Sequence, residues 1–340
     1  MGFTKKTICP RIKIQKEMKK IAVFTSGGDS PGMNANVRAV VRTCLHYGIG
    51  VVGIRNGYEG MIDGDMFEMK SLDVSNILQS GGTILGTARS KRFMTVEGRD
   101  QAYANLQKFG IEGIVACGGN GTYTGALVFM GEHPDIKIVG TPGTIDNDLY
   151  GTDYTIGYDT AVNTAMNAID NIKDTANSHG RVFFVEVMGR DAGFIALRSA
   201  IATGAEAVLV PEVSSDLPAL VKNLNDNFNK KKRASIVVIA EGDDAGGAFK
   251  VLEQIKPQLL ATDIRVTILG HIQRGGRPTV LDRVLASRLG LEAVRALMSG
   301  KVGVAIGQIG HSIEFTPFET AIKHHNRINP TLLEMVEILS

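Results

Sequence analysis

The sequence predicts an α/β protein with mainly parallel sheets, arranged as two Rossmann-like lobes. Short apolar stretches alternate with stretches of helical periodicity along the chain, and this alternation is typical of parallel strands joined by helices. The chain has 340 residues, which is more than a single hydrophobic core usually organises. Glycine-rich loops follow several of the apolar stretches, and a parallel sheet gathers such loops along one edge.

Residues 20–157 plus 274–322 are interpreted as the first lobe. Apolar runs of strand length and a 3.6-residue spacing of apolar side chains define its elements. The predicted strands are Lys20–Phe24, Val51–Ile54, Gly113–Cys117, Ile136–Val139 and Val302–Ile306. The predicted helices are Met33–His46, Asp100–Phe109, Tyr123–Met130 and Asp282–Met298. The segment Gly57–Gly64 is interpreted as a turn-rich connection.

Residues 158–273 plus 323–340 are interpreted as the second lobe, which the long helix Asp159–Ser178 enters. The predicted strands are Val182–Val187, Ala207–Val210, Ser235–Ala240 and Arg265–Leu269. The predicted helices are Ala192–Ala202, Leu217–Asn229, Ala248–Leu259 and Pro330–Leu339. Four consecutive cations at 230–233 form either a solvated helix end or a site for an anionic effector.

The composition excludes several classes of protein. The chain is 44% hydrophobic and 21% charged, as in ordinary globular proteins, and its net charge of +2 gives no reason to expect a nucleic-acid partner. No apolar run is long enough to span a membrane. The three cysteines, Cys9, Cys44 and Cys117, follow no metal-binding pattern, which predicts a reduced, cytoplasmic protein. Residues 1–19 lack the apolar core of a secretory signal and are interpreted as an N-terminal extension.

The run Pro142–Asp148 is the first candidate for chemistry, because Asp146 and Asp148 follow directly after a predicted strand. One carboxylate at such a place can take a proton from an alcohol, and the other can orient it or hold a metal shared with a phosphate. Carboxylates and asparagine are also common in solvated turns. The residues of this run, taken alone, leave both interpretations open.

Glycine-rich loops are the second candidate. The loop Thr25–Gly32 stands between a strand and a helix, an arrangement that favours an anion at the helix start, although it matches no standard nucleotide-binding motif and a plain turn is the alternative. A second such loop is Gly118–Thr122. The loop that begins at Gly81 ends in the cations Arg89, Lys91 and Arg92, which suit either a polyphosphate or a solvated surface.

Together these segments resemble the phosphofructokinase family, in the family's order and with near-family spacing from Lys20 to about Ile322. The matching segments are TSGGDSPGMNA (25–35), GGTILGTAR (81–89), GGNGT (118–122), PGTIDND (142–148), VEVMGRDAG (185–193), Pro211–Glu212 and LGHIQRGG (269–276). The resemblance implies a cleft between a nucleotide-binding lobe and a sugar-phosphate-binding lobe. It implies transfer of the γ-phosphoryl group of ATP, with Mg²⁺, to the 1-hydroxyl of D-fructose 6-phosphate, giving fructose 1,6-bisphosphate and ADP. It also implies a homotetramer whose neighbouring subunits complete the sugar-phosphate sites.

The resemblance assigns roles at matching positions. In catalysis, Asp146 is the general base, Asp148 its supporting carboxylate and a metal ligand, Thr144 a contact of the transferring phosphoryl group and Arg190 the cation that stabilises its charge. Besides Thr144, Asp146 and Arg190, the implied sugar-phosphate contacts are Met188, Gly189, Glu241, His271 and Arg274, with Arg181 and Arg265 reaching into a neighbour's site. The implied nucleotide site is Gly28, Arg89, Gly118, Gly119, Asn120, Gly121 and Thr122. The implied site for an ADP- or phosphoenolpyruvate-type effector is Arg38, Arg42, Lys173, Glu206, Lys230 and Lys232.

Two comparisons with the family concern the phosphoryl donor and the metal. Members that use pyrophosphate tend to carry aspartate in place of Gly121 and lysine in place of Gly143, so glycine at both positions favours ATP. Asn120 stands where the family usually has an aspartate associated with Mg²⁺, and the loss of charge weakens a site for a hard cation. One alternative is a pyrophosphate-dependent enzyme. The other is a catalytically weak regulatory subunit that binds sugar phosphate, and Asn120 is the only residue that supports this second alternative.

Overall fold

Two β-sheets organise the chain, whose computed structural model describes residues 18–230, 234–261 and 263–340. The strands are β1 (Lys20–Thr25), β2 (Gly50–Ile54), β3 (Met66–Glu68), β4 (Gly113–Gly118), β5 (Lys137–Pro142), β6 (Val182–Val187), β7 (Ala207–Leu209), β8 (Ser235–Ala240), β9 (Ile264–Ile268), β10 (Val304–Ile309) and β11 (Ser312–Pro317).

Helices cover the faces of both sheets. They are α1 (Met33–His46), α2 (Gly57–Asp63), α3 (Val96–Phe109), α4 (Asn120–Glu132), α5 (Tyr158–His179), α6 (Phe194–Thr203), α7 (Leu217–Asn229), α8 (Gly247–Ile255), α9 (Val280–Met298), α10 (Phe318–Lys323) and α11 (Pro330–Leu339). Within the described ranges, none of these helices is long and apolar enough to cross a membrane.

The larger sheet has seven strands in the order β11-β10-β5-β4-β1-β2-β3, and its five inner strands are parallel. The smaller sheet has four parallel strands in the order β7-β8-β6-β9. The predicted α/β class with mainly parallel sheets is thereby confirmed. Because the strands of each sheet are parallel, the loops that follow them collect at one edge.

Several elements differ from the sequence-based prediction. The segment predicted as a turn-rich connection is helix α2, which begins after Asn56 and ends before Gly64, both of which are in the left-handed region. Helix α4 begins at Asn120 instead of Tyr123, so the second glycine loop ends as the first turn of a helix. The edge strands β3 and β11 are antiparallel to their neighbours and were not predicted.

Four clusters of buried apolar side chains hold the layers together. Two of them lie on either face of the larger sheet and contain Val23 and Phe24, which are adjacent on β1 and therefore face opposite sides. The other two flank the smaller sheet, where Phe183 and Phe184 divide in the same way. Helix α11 adds Val336 to the smaller-sheet side. The end of the chain is therefore packed against the second sheet.

One buried carboxylate joins the two connections between the sheets. Asp282, in the first turn of α9, accepts hydrogen bonds from the Gly157 amide (2.8 Å) and the Thr160 amide (2.8 Å) at the start of α5. It also accepts from the Thr160 hydroxyl. The hydroxyl of Thr279, which precedes α9, donates to Asp159 at 2.6 Å. The two crossings of the chain are thus fixed to each other.

We expect Asp282→Asn to destabilise the protein by about 1–3 kcal/mol, because the amide nitrogen faces backbone donors and leaves one of them unpaired. Urea unfolding measures the loss. Asp170→Asn, at an exposed position on the same helix α5, is the control and leaves the free energy of unfolding unchanged. Equal unfolding midpoints for the two variants would contradict this role of Asp282.

Candidate active site

A cavity of about 810 Å³ lies where the loops of the two sheets meet. The larger-sheet side contributes the glycine loop after β1, the first turn of α4 and the segment after β5. The smaller-sheet side contributes Arg190, which follows β6, and Arg274, which follows β9. The residues predicted for the nucleotide, the catalytic step and the sugar phosphate that line it are Gly28, Arg89, Gly119, Asn120, Gly121, Thr122, Thr144, Asp146, Arg190 and Arg274.

Asp146 lies at the bottom of this cavity with only 5% of its surface exposed. Burial raises the pKa of its carboxyl, and the neighbouring charge of Asp148 raises it further, whereas Arg274, Arg190 and the hydrogen bond with Thr144 oppose the rise. Its Oδ1 atom has no hydrogen-bond partner among the described residues. A buried carboxylate with a free acceptor suits a group that takes a proton.

Asn147 fixes the turn between the two carboxylates. Its φ of 56° is in the left-handed region, which asparagine tolerates better than most residues. Its side chain accepts from the Thr155 amide at 2.8 Å and donates to the Asp153 carbonyl at 3.1 Å. Asn326, near the end of the chain, donates to the Asn147 carbonyl at 3.2 Å. The two carboxylates are therefore held by a turn that is pinned from both sides.

Asp148 is paired with the residue that departs from the family pattern. The Asn120 Nδ2 atom donates to Asp148 Oδ2 at 3.0 Å. Burial raises the pKa of Asp148, and its own backbone, His325, Arg190 and Asn120 each lower it. The Oδ1 atom of Asn120 is buried and has no partner among the described residues. Asn120 thus leaves an unused oxygen acceptor beside a carboxylate.

The start of α4 provides the backbone donors of the site. Its first residues, Asn120, Gly121 and Thr122, line the cavity, and the helix has 13 residues. Unpaired amides and the axial dipole at such a helix start attract anions. Arg89 lies on the wall of the same cavity. Cation and amides together suit a polyphosphate.

Arg190 faces Asp146 from the opposite side of the cavity. The distance from Arg190 Nε to Asp146 Oδ2 is 3.8 Å, and the arginine side chain is 55% exposed. The Arg190 amide donates to Glu241 Oε1 at 2.8 Å, and the Gly189 amide to the same atom at 3.3 Å. Glu241, predicted as a sugar-phosphate contact, thus holds the loop that carries Arg190.

Arg274 lies against the first glycine loop. Its Nη1 atom donates to the Asp29 carbonyl at 3.2 Å, and a Cβ added to Gly28 would lie 2.2 Å from the same nitrogen. A side chain at position 28 would displace the Arg274 guanidinium from this place. His271, in the same short segment, is exposed and is not a core histidine. Met188 is buried at the end of β6 and donates its amide to Gln273.

Arg181 and Arg265 lie at the other end of the smaller sheet. They stand at the starts of β6 and β9, and both contact Asp263, Arg181 through Nε at 2.6 Å and Arg265 through Nη2 at 3.0 Å. Strand β6 has six residues and is therefore about 20 Å long. These two arginines are not brought to the cavity of their own chain.

The residues predicted for the effector fall into two groups. Arg38 and Arg42 belong to α1, and Arg42 donates to the Ser71 carbonyl at 3.0 Å. On the side of the smaller sheet, Lys173 donates to the Thr203 carbonyl at 2.6 Å and to the Gly204 carbonyl at 3.2 Å.

The second effector group continues beyond Lys173. The buried Glu206 carboxylate accepts from the Ile236 amide. Lys230 is exposed after α7, and Lys232 lies outside the described residues. The first effector group therefore lies beside the larger sheet, and the second lies beside the smaller sheet.

Sequence reasoning missed five residues of the site. Asn147 carried a signal, since an asparagine between two aspartates is suited to a tight turn. Asn326 and Gln273 act through contacts with residues 179 and 85 positions away. Tyr58 and Phe93 stack at 3.9 Å between ring centroids and line the cavity, although 35 positions separate them. No local pattern reveals such distant pairs.

Backbone amides at a helix start, two neighbouring carboxylates and two arginines meet between the two sheets. This combination defines a phosphoryl-transferring enzyme. The family model for phosphofructokinase matches residues 20–297. The chain is 56% identical over 323 residues to ATP-dependent 6-phosphofructokinase 1 of Thermus thermophilus, covering 95% of this chain and 100% of that protein. It is 53% identical to the ATP-dependent 6-phosphofructokinase of Cytophaga hutchinsonii, covering 95% and 98%. The chain belongs to the phosphofructokinase family.

Solved structures agree with this assignment. Phosphofructokinase from Saccharomyces cerevisiae superimposes with a TM-score of 0.85 at 40% identity, covering 90% of this chain and 45% of the yeast chain. A pyrophosphate-dependent phosphofructokinase from Nitrosospira multiformis superimposes with a TM-score of 0.81 at 22% identity, covering 94% and 91%. The second likeness shows the fold alone.

The charges around Asp146 predict two opposite pKa shifts. Arg190→Gln removes a cation that favours the ionised carboxylate, so the pKa of Asp146 rises. Asp148→Asn removes a like charge, so the pKa of Asp146 falls. Carbon-13 NMR titration of the side-chain carboxyl measures both shifts in the protein without ligands. Arg38→Gln, on α1, is the control. A pKa that moves the same way in both variants would contradict the arrangement described above.

Proposed function

We infer that the protein transfers the γ-phosphoryl group of ATP to the 1-hydroxyl of D-fructose 6-phosphate, giving fructose 1,6-bisphosphate and ADP. The observation that carries this inference is the buried Asp146 carboxylate, which faces Arg190 at 3.8 Å in a cavity that also contains the start of α4. Relatives with at least 95% coverage of the chain are ATP-dependent 6-phosphofructokinases, and this supports the same reaction here.

The proposed chemistry begins at Asp146. Its carboxylate accepts the proton of the sugar hydroxyl as the oxygen attacks phosphorus, and its raised pKa makes it a better base than an exposed aspartate. Arg190 stabilises the charge that develops on the transferring group. Thr144, whose hydroxyl accepts from the Asp146 amide at 3.2 Å, orients the base. Positioning and charge neutralisation account for most of the rate of such a transfer.

The nucleotide is proposed to lie along the larger-sheet side of the cavity. Its phosphates face the amides of 119–121, the loop at Gly28 and the cation of Arg89, and the stacked rings of Tyr58 and Phe93 form an apolar wall. Arg99 donates to the Phe93 carbonyl at 3.0 Å and pairs with Glu132, which fixes this wall.

Mg²⁺ is proposed as the metal, and the available oxygens fit it weakly. The described residues contain no cluster of three His, Cys, Asp or Glu side chains that could hold a metal ion. Asp148 and the unpartnered Oδ1 of Asn120 are the oxygen ligands near the phosphate site, and hard cations prefer oxygen. When bound, the ion neutralises phosphate charge. Because Asn120 lacks a charge, we propose that the nucleotide phosphates supply most of the ligands.

Gly121 and Gly143 bear on the choice between ATP and pyrophosphate as the phosphoryl donor. A Cβ at Gly121 would meet no atom within 4 Å, so this position has room for a larger residue and its glycine keeps space beside the bound nucleotide. A Cβ at Gly143 would lie 2.7 Å from Cys117 Sγ and 2.9 Å from Met33 Cε. Core packing therefore requires glycine at 143, a reason that the sequence-based comparison did not include. The choice of ATP over pyrophosphate rests more on Gly121.

The regulatory-subunit alternative has less support than the enzyme. It rests on Asn120 alone, whereas the contacts of Asp146 with Arg190 and of Asp148 with Asn120 support the proposed base, its supporting carboxylate and the facing cation. A protein that only binds sugar phosphate has no physical need of a buried proton acceptor opposite a cation.

We also propose how the subunits assemble and where an effector binds, from the resemblance to the family and the positions of the residues. Arg181 and Arg265 lie at the edge of the smaller sheet away from the cavity, so we propose that they complete the sugar-phosphate site of a neighbour in a homotetramer. The two effector groups are proposed to meet at a subunit interface and to bind an ADP- or phosphoenolpyruvate-type effector. The cytoplasmic location and the lobe boundaries at 157/158, 273/274 and 322/323 stay predictions.

Asp146→Ser tests the catalytic base. We expect kcat to fall by about 10²–10⁴-fold, the usual range for loss of a general base, while the affinities for ATP and fructose 6-phosphate persist. A coupled assay measures turnover, and calorimetry measures binding. Unchanged turnover would show that another group accepts the proton, and wild-type protein without turnover would contradict the proposed function.

Gly121→Asp tests the donor. We expect kcat/KM for ATP to fall at least about fivefold, because like charges about 4 Å apart repel by about 1–4 kcal/mol near a protein surface. The same coupled assay with ATP and with pyrophosphate measures the ratio of the two donors. Gly131→Asp adds the same charge at an open position of the same helix and leaves the ratio unchanged. Equal ratios in the two variants would place Gly121 away from the nucleotide.

A further inference from the structure

The loop between β6 and α6 has an unusual backbone. Gly189 has a φ of 146° and Arg190 a φ of 52°. A left-handed conformation is uncommon and unfavourable for a long side chain such as arginine. Such a conformation persists only where neighbouring groups enforce it. The conformation of this loop decides where the Arg190 side chain lies.

Three consecutive amides of this loop are held by two side chains. The Met188 amide donates to Gln273 Oε1 at 2.9 Å. The next two amides, of Gly189 and Arg190, donate to Glu241 Oε1 at 3.3 and 2.8 Å. Glu241 follows β8 and Gln273 follows β9, so the two acceptors come from the strands on either side of β6. The loop is therefore clamped from both neighbouring strand ends.

Gln273 is a costly residue to place here. Its side chain is fully buried, and its Nε2 atom has no hydrogen-bond partner within the part of the chain that the structure describes. An unpaired buried donor reduces stability. A methionine would fill similar space without that penalty, but it would leave the Met188 amide without its acceptor.

We infer that Gln273 is a positioning residue, which with Glu241 holds the loop 188–190 in the conformation that brings Arg190 to Asp146. It lies outside the cavity lining and acts on the reaction through Arg190. This inference rests on the proposed function, since Arg190 is the cation that stabilises the transferring group. Gln273 belongs to the HIQRGG segment, and its role is separate from the roles of the neighbouring His271 and Arg274.

Gln273→Met is the first test, since it removes the acceptor at similar side-chain volume. We expect kcat to fall at least about tenfold, because small displacements of a catalytic group have large effects on rate, while KM for ATP stays unchanged. Gln273→Glu keeps an oxygen acceptor and recovers part of the loss. Gln254→Met removes a side-chain hydrogen bond to the Ala245 carbonyl on the same lobe and leaves kcat unchanged.

Two further measurements separate positioning from simple destabilisation. On an Arg190→Gln background, Gln273→Met has little further effect on kcat if it acts through Arg190. The backbone amide signals of Gly189 and Arg190, followed by NMR in the protein without ligands, shift in Gln273→Met and do not shift in Gln254→Met, because only the first variant removes an acceptor that holds this loop.

Two outcomes would overturn the inference. One is an equal fall in kcat with and without Arg190. The other is a lower melting temperature with an unchanged kcat and unchanged amide signals of Gly189 and Arg190. Wild-type protein that does not phosphorylate fructose 6-phosphate would contradict the proposed function instead, and the NMR measurement would still report whether Gln273 positions Arg190.

Discussion

The site depends on a buried carboxylate whose charge is compensated from across the cavity. Burial by itself favours the neutral form of Asp146, and a neutral carboxylic acid cannot accept a proton. Arg190 and Arg274 oppose this effect, and both belong to segments that follow strands of the smaller sheet. The ionisation state of Asp146, which follows a strand of the larger sheet, is therefore set in part by residues that follow strands of the smaller sheet.

Because residues of one sheet affect the ionisation of Asp146 on the other, the connections between the sheets affect the charge of this carboxylate. Asp282 ties the start of α5 to the start of α9, so these two connections between the sheets are fixed to each other. A displacement of one sheet relative to the other changes the distance between Arg190 and Asp146, now 3.8 Å. In a partly buried site the Coulomb interaction changes steeply with distance and with exclusion of water. A shorter distance between Arg190 and Asp146 favours the ionised carboxylate, whereas further exclusion of water favours the neutral form, so the pKa of Asp146 depends on both.

The sequence predicted the fold class and the glycine-rich and acidic segments of the cavity lining because both are encoded locally. Each glycine loop follows an apolar strand, and parallel strands bring such loops to one edge. The positions that were not predicted depend on contacts between residues that are far apart in the sequence. Helix α2 contains two glycines, which weaken a helical pattern, and it forms because its apolar face packs beside Phe24 and Ile54. Asn326 and Gln273 reach their partners only after both sheets have formed.

Asn120 changes the electrostatics of the site as well as the metal ligands. With a carboxylate at 120, three negative charges would lie near the phosphates, and each would raise the pKa of the others. The amide donates to Asp148 at 3.0 Å, which favours the ionised form of Asp148 without adding charge. A site of this kind depends less on a bound cation to keep its carboxylates ionised. For the proposed Mg²⁺, the missing charge weakens binding of the free ion, a loss that matters little if the ion arrives already bound to the nucleotide phosphates.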